Sequence, residues 1–470
     1  MEDTENFLDT VLSNEFDYGT GVWSSVNDKL SIRMNSFGEY ETYIKKEKEV
    51  FTEYELDSLK EVNCLLSQFN ETDLGKELFS EIESINYDSR IGYFQNLYIG
   101  HVAEGEYRKN ASSGGFGTWI FTELLRLGYI DSVIHVKKST NSDKLFEYSI
   151  SKTMNDIIQG AKTKYYPVEL SEVLKIIKTT PGKYAVIGLP SFIMELRLLS
   201  KQDTNINDRI KFYIGLVCGH QKSTKFTDLL GWQCGIKPGD IQSIDYRKKL
   251  DYGPSSSYAV EVQGLVDGKM ETVVKEMKQI YGGDWGKGLF KVRASDFSDD
   301  VMNETADITL GDAWLREYTK DNKGNNILVV RNTIIDEIIQ NAMAEGRIKL
   351  TPTDSDTIQR SQMSHYRHSQ DELGYRLYKL NKKKKWIPTK RIEPSKDISF
   401  ARKRIQDLRE KYCELTPIFF EKAMELDDFE YLKKQLRIYD LEYSFFYKLI
   451  DLNRKIGRAF EILNLKNRKS

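Results

Sequence analysis

Apolar positions between residues 86 and 350 follow two spacings that alternate along the chain. Short apolar runs at 131–136 and 184–188 predict buried strands, whereas the three-to-four-residue spacing at 119–127 predicts a helix that ends at Gly128. This alternation predicts an α/β fold, a mixed sheet core with flanking helices. The same criteria predict strands at 93–100, 210–217, 306–310 and 327–330, helices at 170–178, 192–199, 224–230 and 333–344, and a hairpin at 258–274 with an Asp-Gly turn.

The two ends of the chain follow different patterns. Residues 1–85 form a short acidic segment with a helix predicted near 53–68, and residues 351–396 lose periodicity and are interpreted as a linker. Residues 397–470 predict an α-helical extension whose apolar face needs a partner, either the α/β core of residues 86–350 or another subunit, so a homo-oligomer is one outcome. This face consists of Leu441, Phe445, Leu449, Leu452, Ile456, Phe460 and Leu463.

Composition narrows the class of protein. Of the 470 residues, 40% are hydrophobic and 30% are charged, with 69 Lys and Arg against 71 Asp and Glu. The resulting net charge of -2 gives no global attraction to nucleic acid, so a nucleic-acid partner is not expected. No apolar run reaches the ~18 residues of a membrane span, and the acidic start is unlike a signal peptide. We therefore expect a cytoplasmic protein with no membrane span.

The cysteine count bears on redox chemistry. The chain has Cys64, Cys218, Cys234 and Cys413, and none lies within three residues of another. No C-x-x-C motif is present, so composition alone predicts neither a disulfide framework nor an iron–sulfur cluster, and no metal site is expected.

Four polar or glycine-containing loops accompany the predicted strands and helices, at 112–115, 188–191, 218–220 and 311–314. Ligands of open α/β sheets bind at the carboxyl ends of the strands, where these loops could converge. Residues 112–115, Ser-Ser-Gly-Gly, immediately precede a helix, and free N–H groups at a helix start attract phosphate. The same residues are equally consistent with a serine N-cap and a tight glycine turn.

An ordered series of short motifs resembles the coenzyme F420 hydrogenase/dehydrogenase beta-subunit family, in particular its bacterial members encoded near polysaccharide genes. The resemblance covers about residues 10–395. The motifs are Arg108-x-x-Ala111-Ser112-Ser113-Gly114-Gly115, Ala161-Lys162-Thr163-Lys164-Tyr165-Tyr166-Pro167, Gly188-Leu189-Pro190, Val217-Cys218-Gly219-His220 with Lys222-Ser223, Asp245-Tyr246-Arg247, residues 304–314 (ETADITLGDAW) and Arg331.

The resemblance implies a flavin (FAD) in the α/β core and [4Fe–4S] clusters, one of them held by a ferredoxin-like N-terminal segment. The family's Cys-x-Gly-Cys-Gly-x-Cys corresponds here to residues 17–23, DYGTGVW, its Gly-Leu-Pro-Cys ends here in Ser191, and its Cys-x-x-Cys corresponds to residues 295–298, SDFS. Cys64 and Cys218 are the thiols that could survive from the two sets. Because a cluster needs four thiolates, we expect a degenerate ferredoxin-like segment at 1–85 and no iron–sulfur cluster.

The resemblance also implies site residues. His220 and Lys222 follow a strand and could donate a proton to a substrate or orient it. The resemblance assigns flavin binding to Arg108, Ser112, Ser113, Gly114, Gly115, Thr118, Lys162, Lys164, Tyr165, Gly188, Pro190, Ser191 and Asp312.

Two hypotheses follow. The first is a cluster-free, FAD-dependent oxidoreductase that passes hydride between a reduced carrier, either a nicotinamide or a deazaflavin, and a small molecule. Proximity of the relatives to polysaccharide genes suggests a sugar or sugar nucleotide as that small molecule. The second is a redox-inactive descendant that acts as a binding or scaffold module, motivated by the loss of at least six cluster ligands.

Overall fold

The computed structural model describes residues 2–13, 16–46, 49–388 and 390–467, with side chains described from Phe7 to Arg458. All contacts and counts concern these residues. The strands are β1 (Leu30–Met34), β2 (Tyr40–Ile44), β3 (Asn86–Asp88), β4 (Gly92–Phe94), β5 (Asn96–Val102), β6 (Ser132–Lys138), β7 (Phe146–Ser151), β8 (Tyr184–Gly188), β9 (Ile210–Leu216), β10 (Ile241–Lys249), β11 (Tyr258–Val266), β12 (Lys269–Glu276), β13 (Ile308–Asp312), β14 (Asn326–Val330) and β15 (Ile348–Pro352).

The helices occur along the whole described chain. They are α1 (Glu2–Ser13), α2 (Val22–Val26), α3 (Glu53–Val62), α4 (Glu71–Phe79), α5 (Tyr107–Asn110), α6 (Phe116–Arg126), α7 (Met154–Gln159), α8 (Ser171–Thr179), α9 (Pro190–Gln202), α10 (Thr204–Arg209), α11 (Thr224–Gln233), α12 (Arg316–Thr319), α13 (Thr333–Ala344), α14 (Ser355–Ser361), α15 (Met363–Tyr366), α16 (Leu373–Lys382), α17 (Phe400–Glu425) and α18 (Phe429–Asn467), with 3₁₀ turns at Met277–Gln279, Trp285–Lys287 and Arg293–Phe297 and a π-helix at Arg367–Asp371.

An eight-stranded mixed sheet in the order β15-β5-β14-β13-β9-β8-β6-β7 forms the centre of the fold. Strands β13, β9, β8 and β6 are mutually parallel, and the remaining neighbours in the sheet pair antiparallel. Helices α6 and α13 cover one face, whereas α8 and α9 cover the other and join the N-terminal segment in a single apolar core. The predicted α/β fold with a mixed sheet and flanking helices is therefore confirmed.

A second, three-stranded sheet carries the predicted hairpin. Strands β11 and β12 pair from Ala259–Glu276 to Val266–Lys269, and Asp267 and Gly268 between them have φ angles of 49° and 76°. Positive φ at both positions is typical of a type I′ turn, which explains the Asp-Gly signal. The sequence prediction missed the third strand, β10, because its sequence IQSIDYRKK ends in charged residues.

The expectation of a loop or linker at residues 351–396 is wrong for its first two-thirds. Helices α14, α15 and α16 occupy residues 355–382, and Ile358, Tyr366 and Leu377 are buried in the core. The helices are short and interrupted by a π-helix, so no single helical period extends across them. The division of the chain into 1–85, 86–350, 351–396 and 397–470 stays a prediction.

The predicted C-terminal helices are present as α17 and α18. They pack on each other and share an apolar core with the three-stranded sheet and α11. On the predicted apolar face, Leu449 packs against this core, while Leu441, Phe445, Leu452 and Ile456 are largely exposed; the side chains of Phe460 and Leu463 lie outside the described residues. None of the helices in the described chain is both long and apolar enough to cross a membrane.

Candidate functional site at the carboxyl edge of the sheet

The polar loops that follow the parallel strands lie at one edge of the large sheet. Asn303 donates its side-chain N–H to the carbonyl oxygens of Gly188 (3.0 Å) and Leu216 (3.4 Å), which ties the ends of β8 and β9 together. Asn326 donates to the carbonyl of Gly311 at 2.9 Å and lies against Gly114. The predicted convergence of loops is thus present, with the 112–115 loop beside the end of β13.

Local packing accounts for the two glycines of the 112–115 loop. Gly115 has φ +100°, and a Cβ there would lie 2.9 Å from the backbone nitrogen of Arg108. A Cβ on Gly114 would lie 2.7 Å from Oδ1 of Asn326 and 2.8 Å from the carbonyl oxygen of Gly100. Close approach of protein backbone therefore requires both glycines before any ligand is considered.

The serines of this loop bind backbone. Ser113 Oγ donates to the carbonyl oxygen of Asn325 at 2.9 Å, and Ser112 Oγ accepts the N–H of Thr163 at 2.9 Å. Helix α6 begins after Gly115 with no side-chain cap, and Thr118 lies half-buried in its first turn. The backbone N–H groups at this helix start are thus the part of the loop suited to an anion.

Three of the cations at this edge are paired with carboxylates. Arg108 Nη2 lies 2.5 Å from Asp321, and its guanidinium also donates to the carbonyl of Gly324. Lys162, which adopts the left-handed φ of +80°, lies 2.8 Å from Asp245. The buried guanidinium of Arg247 lies 2.6 Å from Asp312, so these two residues neutralise each other.

Lys249, which sequence reasoning missed, is the distinctive cation of the site. Its Nζ donates to the carbonyl oxygen of Arg108 (2.5 Å), ahead of the predicted phosphate loop, and to that of Ser113 (2.9 Å), within the loop. Burial, together with the charges of Arg108, Lys162 and Arg247, lowers its pKa to about 7. Within the described chain no carboxylate pairs with it, and the only sequence signal was its position two residues after Arg247 on the unrecognised strand β10.

Lys164 and Tyr165 lie beside the cation cluster, since Lys164 feels the charges of Asp245 and Lys162 and Tyr165 those of Arg247 and Asp312. Lys164 Nζ donates to the carbonyls of Gly160 and Ala161 (2.7 Å to the latter), and burial lowers its pKa to about 7. The ring of Tyr165 packs against Trp285 with centroids 4.4 Å apart, and burial raises the pKa of its phenol. Lys164 is thus held by backbone hydrogen bonds and Tyr165 by ring packing.

His220 and Lys222 both contact Trp285, the ring that also packs against Tyr165. The His220 ring stacks on Trp285 at 4.7 Å, and burial together with the charge of Lys222 lowers its pKa well below the usual value, so the imidazole is neutral at pH 7. Lys222 Nζ donates to the carbonyl of Leu289 at 2.6 Å, and burial lowers its pKa to about 7. Their catalytic role stays a prediction, and a neutral His220 could not act as a strong acid.

A buried carboxyl group, that of Glu195, lies at the first set of positions that correspond to cluster cysteines, residues 17–23 and Cys64. Thr20 Oγ1 donates to Glu195, and Glu195 Oε1 accepts the N–H of Cys64 at 3.4 Å, so the two positions that correspond to family cysteines meet at one side chain. Trp23 is buried, and its indole N–H donates to the carbonyl of Leu59 at 2.9 Å. Burial raises the pKa of the Cys64 thiol well above its usual value, the reverse of what a metal thiolate needs.

The second set of positions that correspond to cluster cysteines comprises Ser191, Cys218, Ser295 and Ser298, and hydrogen bonds hold Ser295 and Cys218 in place. Ser295 Oγ accepts the N–H of Gln221 at 3.0 Å, and Cys218 Sγ lies 3.5 Å from the carbonyl of His220. Ser191 is the second residue of α9 after Pro190, and burial raises the pKa of Cys218 to about 11. Serine and threonine oxygens with one thiol per set do not fit a [4Fe–4S] cluster, which needs four thiolates.

The fold defines a mixed α/β protein whose strand ends converge on a basic, glycine-containing loop. Residues 97–175 match the family described as coenzyme F420 hydrogenase/dehydrogenase, beta subunit N-term, and residues 182–356 match the family that describes the C terminus of the same beta subunit. Together these matches span just over half of the chain. The protein belongs to the coenzyme F420 hydrogenase/dehydrogenase beta-subunit family.

The solved structures that are similar in part include a hydrogenase complex. A chain of the xenon-derivatised F420-reducing [NiFe] hydrogenase complex from Methanosarcina barkeri has 15% sequence identity and a TM-score of 0.47, with 63% of this chain and 96% of that chain covered. No curated protein matches this chain significantly.

Proposed function

We propose that this protein is a cluster-free, FAD-dependent oxidoreductase that passes hydride between a reduced carrier and a small molecule. Family membership supports a redox role, and the family's polysaccharide-locus members suggest a sugar or sugar nucleotide as substrate. The single observation that carries the proposal is Lys249, a half-buried lysine with no carboxylate partner among the described residues, whose Nζ contacts the carbonyls of Arg108 and Ser113 at the 112–115 loop.

The cations at the carboxyl edge fit a diphosphate. Lys249, Arg108 and Lys162 lie close enough for the charges of the latter two to lower the pKa of Lys249, and such crowding is relieved by an anion. The uncapped start of α6, after Gly115, adds backbone N–H groups and the positive end of its dipole. Lys249 and this helix start would therefore hold the FAD phosphates, while Arg108 and Lys162 remain paired with their carboxylates.

The bound flavin would supply two-electron hydride chemistry. The chain would bind and orient the cofactor and exclude water through the half-buried, packed rings of Tyr165 and Trp285. Lys249, with a pKa of about 7, would take up a proton as the anionic phosphates bind, because the added negative charge favours the ammonium form.

The test is FAD titration of purified protein, followed by the visible flavin absorption band, at pH 6.5 and 8.5. We expect wild-type affinity to fall as pH rises above about 7, since the free protein must then take up a proton at Lys249. Lys249→Gln should weaken FAD binding by roughly tenfold or more and lose most of this pH dependence.

Lys248→Gln is the matched control, because Lys248 is the neighbouring residue and pairs with Glu261 on the surface of the three-stranded sheet. Equal losses of FAD affinity in Lys248→Gln and Lys249→Gln would contradict the assignment. A wild-type protein that binds no FAD at either pH would overturn the flavoenzyme proposal.

The redox-inactive binding or scaffold module is the second candidate. The observation in its favour is that Arg108, Lys162 and Arg247 already have carboxylate partners without any ligand. Charges satisfied within the protein need no cofactor to balance them. Failure of wild-type protein to bind FAD, with cooperative unfolding intact, is the result that this candidate predicts.

A further inference from the structure

A pocket unrelated to the 112–115 loop lies where the 3₁₀ turn Arg293–Phe297 meets helices α16 and α17. Both helices follow residue 356, where the family match ends. The pocket is lined by Arg293, Asp296, Phe297, Arg376, Lys379, Gln406, Arg409, Glu410 and Cys413.

Positive charge exceeds negative charge in this lining. Four cationic side chains face two carboxylates, Asp296 and Glu410. Two further groups adjoin the lining, since Lys291 pairs with Asp296 and Asp407 pairs with Lys379, which also pairs with Glu410; five cations therefore face three carboxylates. For two of the three arginines the nearest carboxylates of the described residues are distant ones, Asp296 for Arg376 and Glu372 for Arg409. The closer partners of these two arginines are neutral, Gln406 for Arg376 and Tyr447 for Arg409.

The distances from the arginines show this surplus. The Arg376 guanidinium lies 3.9 Å from Asp296 and donates to the backbone carbonyls of Asp296 and His368 at 2.8 Å. Arg409 lies 4.0 Å from its nearest carboxylate, Glu372, and its buried Nε has no hydrogen-bond partner within the described residues.

Arg293 is the least satisfied member. Its Nε is buried without a partner among the described residues, and no carboxylate there lies within ion-pair distance of it. Burial lowers the pKa of Arg376, and the neighbouring charge of Arg409 adds to the shift, as expected where like charges are crowded. Guanidinium groups in such an arrangement bind oxyanions through paired N–H donors.

The size of the pocket limits what it can hold. Its volume is about 30 Å³, whereas a buried water needs at least ~10–15 Å³ by the same measure. A compact ion fits this space, and a nucleotide does not. A surplus of two positive charges matches a doubly charged ion.

We propose that Arg293, Arg376 and Arg409 form a binding site for a phosphate dianion, either free phosphate or the terminal phosphoryl group of a larger molecule that reaches in from solvent. This site is independent of the proposed flavin site, because its residues share no contact with Lys249 or the 112–115 loop. Bound phosphate would join the 3₁₀ turn to α16 and α17.

The test uses full-length protein and isothermal titration with sodium phosphate, against sodium chloride at equal ionic strength. We expect saturable, phosphate-specific binding that Arg293→Gln weakens by roughly tenfold or more, with Arg293→Lys intermediate because it retains charge but loses the paired donors. A parallel titration with a hexose 6-phosphate distinguishes the two sources, since the tighter ligand identifies the form that the site takes.

Two matched variants make the result specific. Arg404→Gln changes an arginine of α17 that pairs with Glu442 outside the pocket, and Lys249→Gln removes the cation of the flavin site. Both should bind phosphate as the wild type does. Absence of binding beyond the chloride control, or equal weakening by Arg293→Gln and Arg404→Gln, would overturn the proposal, whereas loss of binding in Lys249→Gln would reassign the phosphate to the flavin site.

Discussion

The buried carboxyl group of Glu195 has a pKa well above that of an ordinary glutamate. It accepts hydrogen bonds from Thr20 and from the backbone of Cys64, with no cation within ion-pair distance in the described residues. Burial, with the nearby Asp17 adding to the effect, raises its pKa to about 7. A carboxyl group at a position where the family resemblance places metal ligands is thus held near neutrality by its surroundings.

This pKa leads to a prediction about pH and stability. Because the folded-state pKa of Glu195 lies above the unfolded value of 4.5, the folded state binds more protons between these values, and stability falls as pH rises from about 4.5 to 7. Glu195 alone contributes a fall of about 3 kcal/mol. Glu195→Gln should reduce this slope and be more stable than wild type at pH 8, measured by urea unfolding at pH 5 and 8.

The remaining slope in Glu195→Gln should come from other carboxyl groups whose pKa burial raises, among them Asp17, Asp228 and Asp300. Glu172→Gln is the control, because Glu172 is exposed and pairs only with Lys175 one turn away. Identical pH slopes in wild type and Glu195→Gln would show that the carboxyl group is ionised in the folded protein.

At the scale of elements, the start of α6 combines a strained turn with an open anion-binding end. Gly115 ends the loop in the left-handed region, while Gly117, two residues later, is already helical, and a Cβ there would meet only Leu310, at 4.0 Å. The same residue type therefore has opposite roles within one helical turn. Gly115 determines how the chain enters the helix, and Gly117 only lowers helix propensity.

We predict that alanine substitution at these two glycines has opposite effects. Gly115→Ala should lower the free energy of unfolding by about 1–3 kcal/mol, because a Cβ is strained at φ +100° and crowds the Arg108 backbone. Gly117→Ala should leave it unchanged or raise it by up to ~1 kcal/mol. Urea unfolding measures both; a harmless Gly115→Ala would mean that the turn can relax, and the packing explanation would fail.

For the whole molecule, the question is whether the C-terminal helices are an appendage. Phe420 of α17 is fully buried, with its ring 5.7 Å from Trp232 and 5.1 Å from Phe290. The helices therefore complete the core of the three-stranded sheet and α11 instead of standing apart. The exposed face of α18 stays a candidate surface for a second copy of the chain.

This packing predicts a large effect of a single truncation in α17. Phe420→Ala should destabilise the protein by about 3–5 kcal/mol and keep one cooperative unfolding transition, because the helices and the sheet share a core. Ile418→Ala on the same helix, where the side chain is 51% exposed, should cost less than about 0.5 kcal/mol. A separate early transition for α17 and α18, seen by denaturation with two probes, would show that they fold independently.

Periodicity in the sequence by itself determined the parallel strands β6, β8, β9 and β13 and their helices, because fully buried strands and amphipathic helices carry strong apolar patterns. The Asp-Gly dipeptide indicated the hairpin turn, and the ordered short motifs carried the resemblance to the family. It could not find β10, whose charged residues are satisfied by partners distant in the chain, such as Asp312 for Arg247.

Only the tertiary structure decided which polar residues work together. It placed His220 and Lys222 against Trp285, brought Thr20 and Cys64 to Glu195, and placed Lys249 between the carbonyls of Arg108 and Ser113. The physical reason is that hydrogen bonds, ion pairs and pKa values depend on burial and on neighbours tens to hundreds of residues away. Apolar spacing reports which face of an element is buried, and it contains no information about which charges meet there.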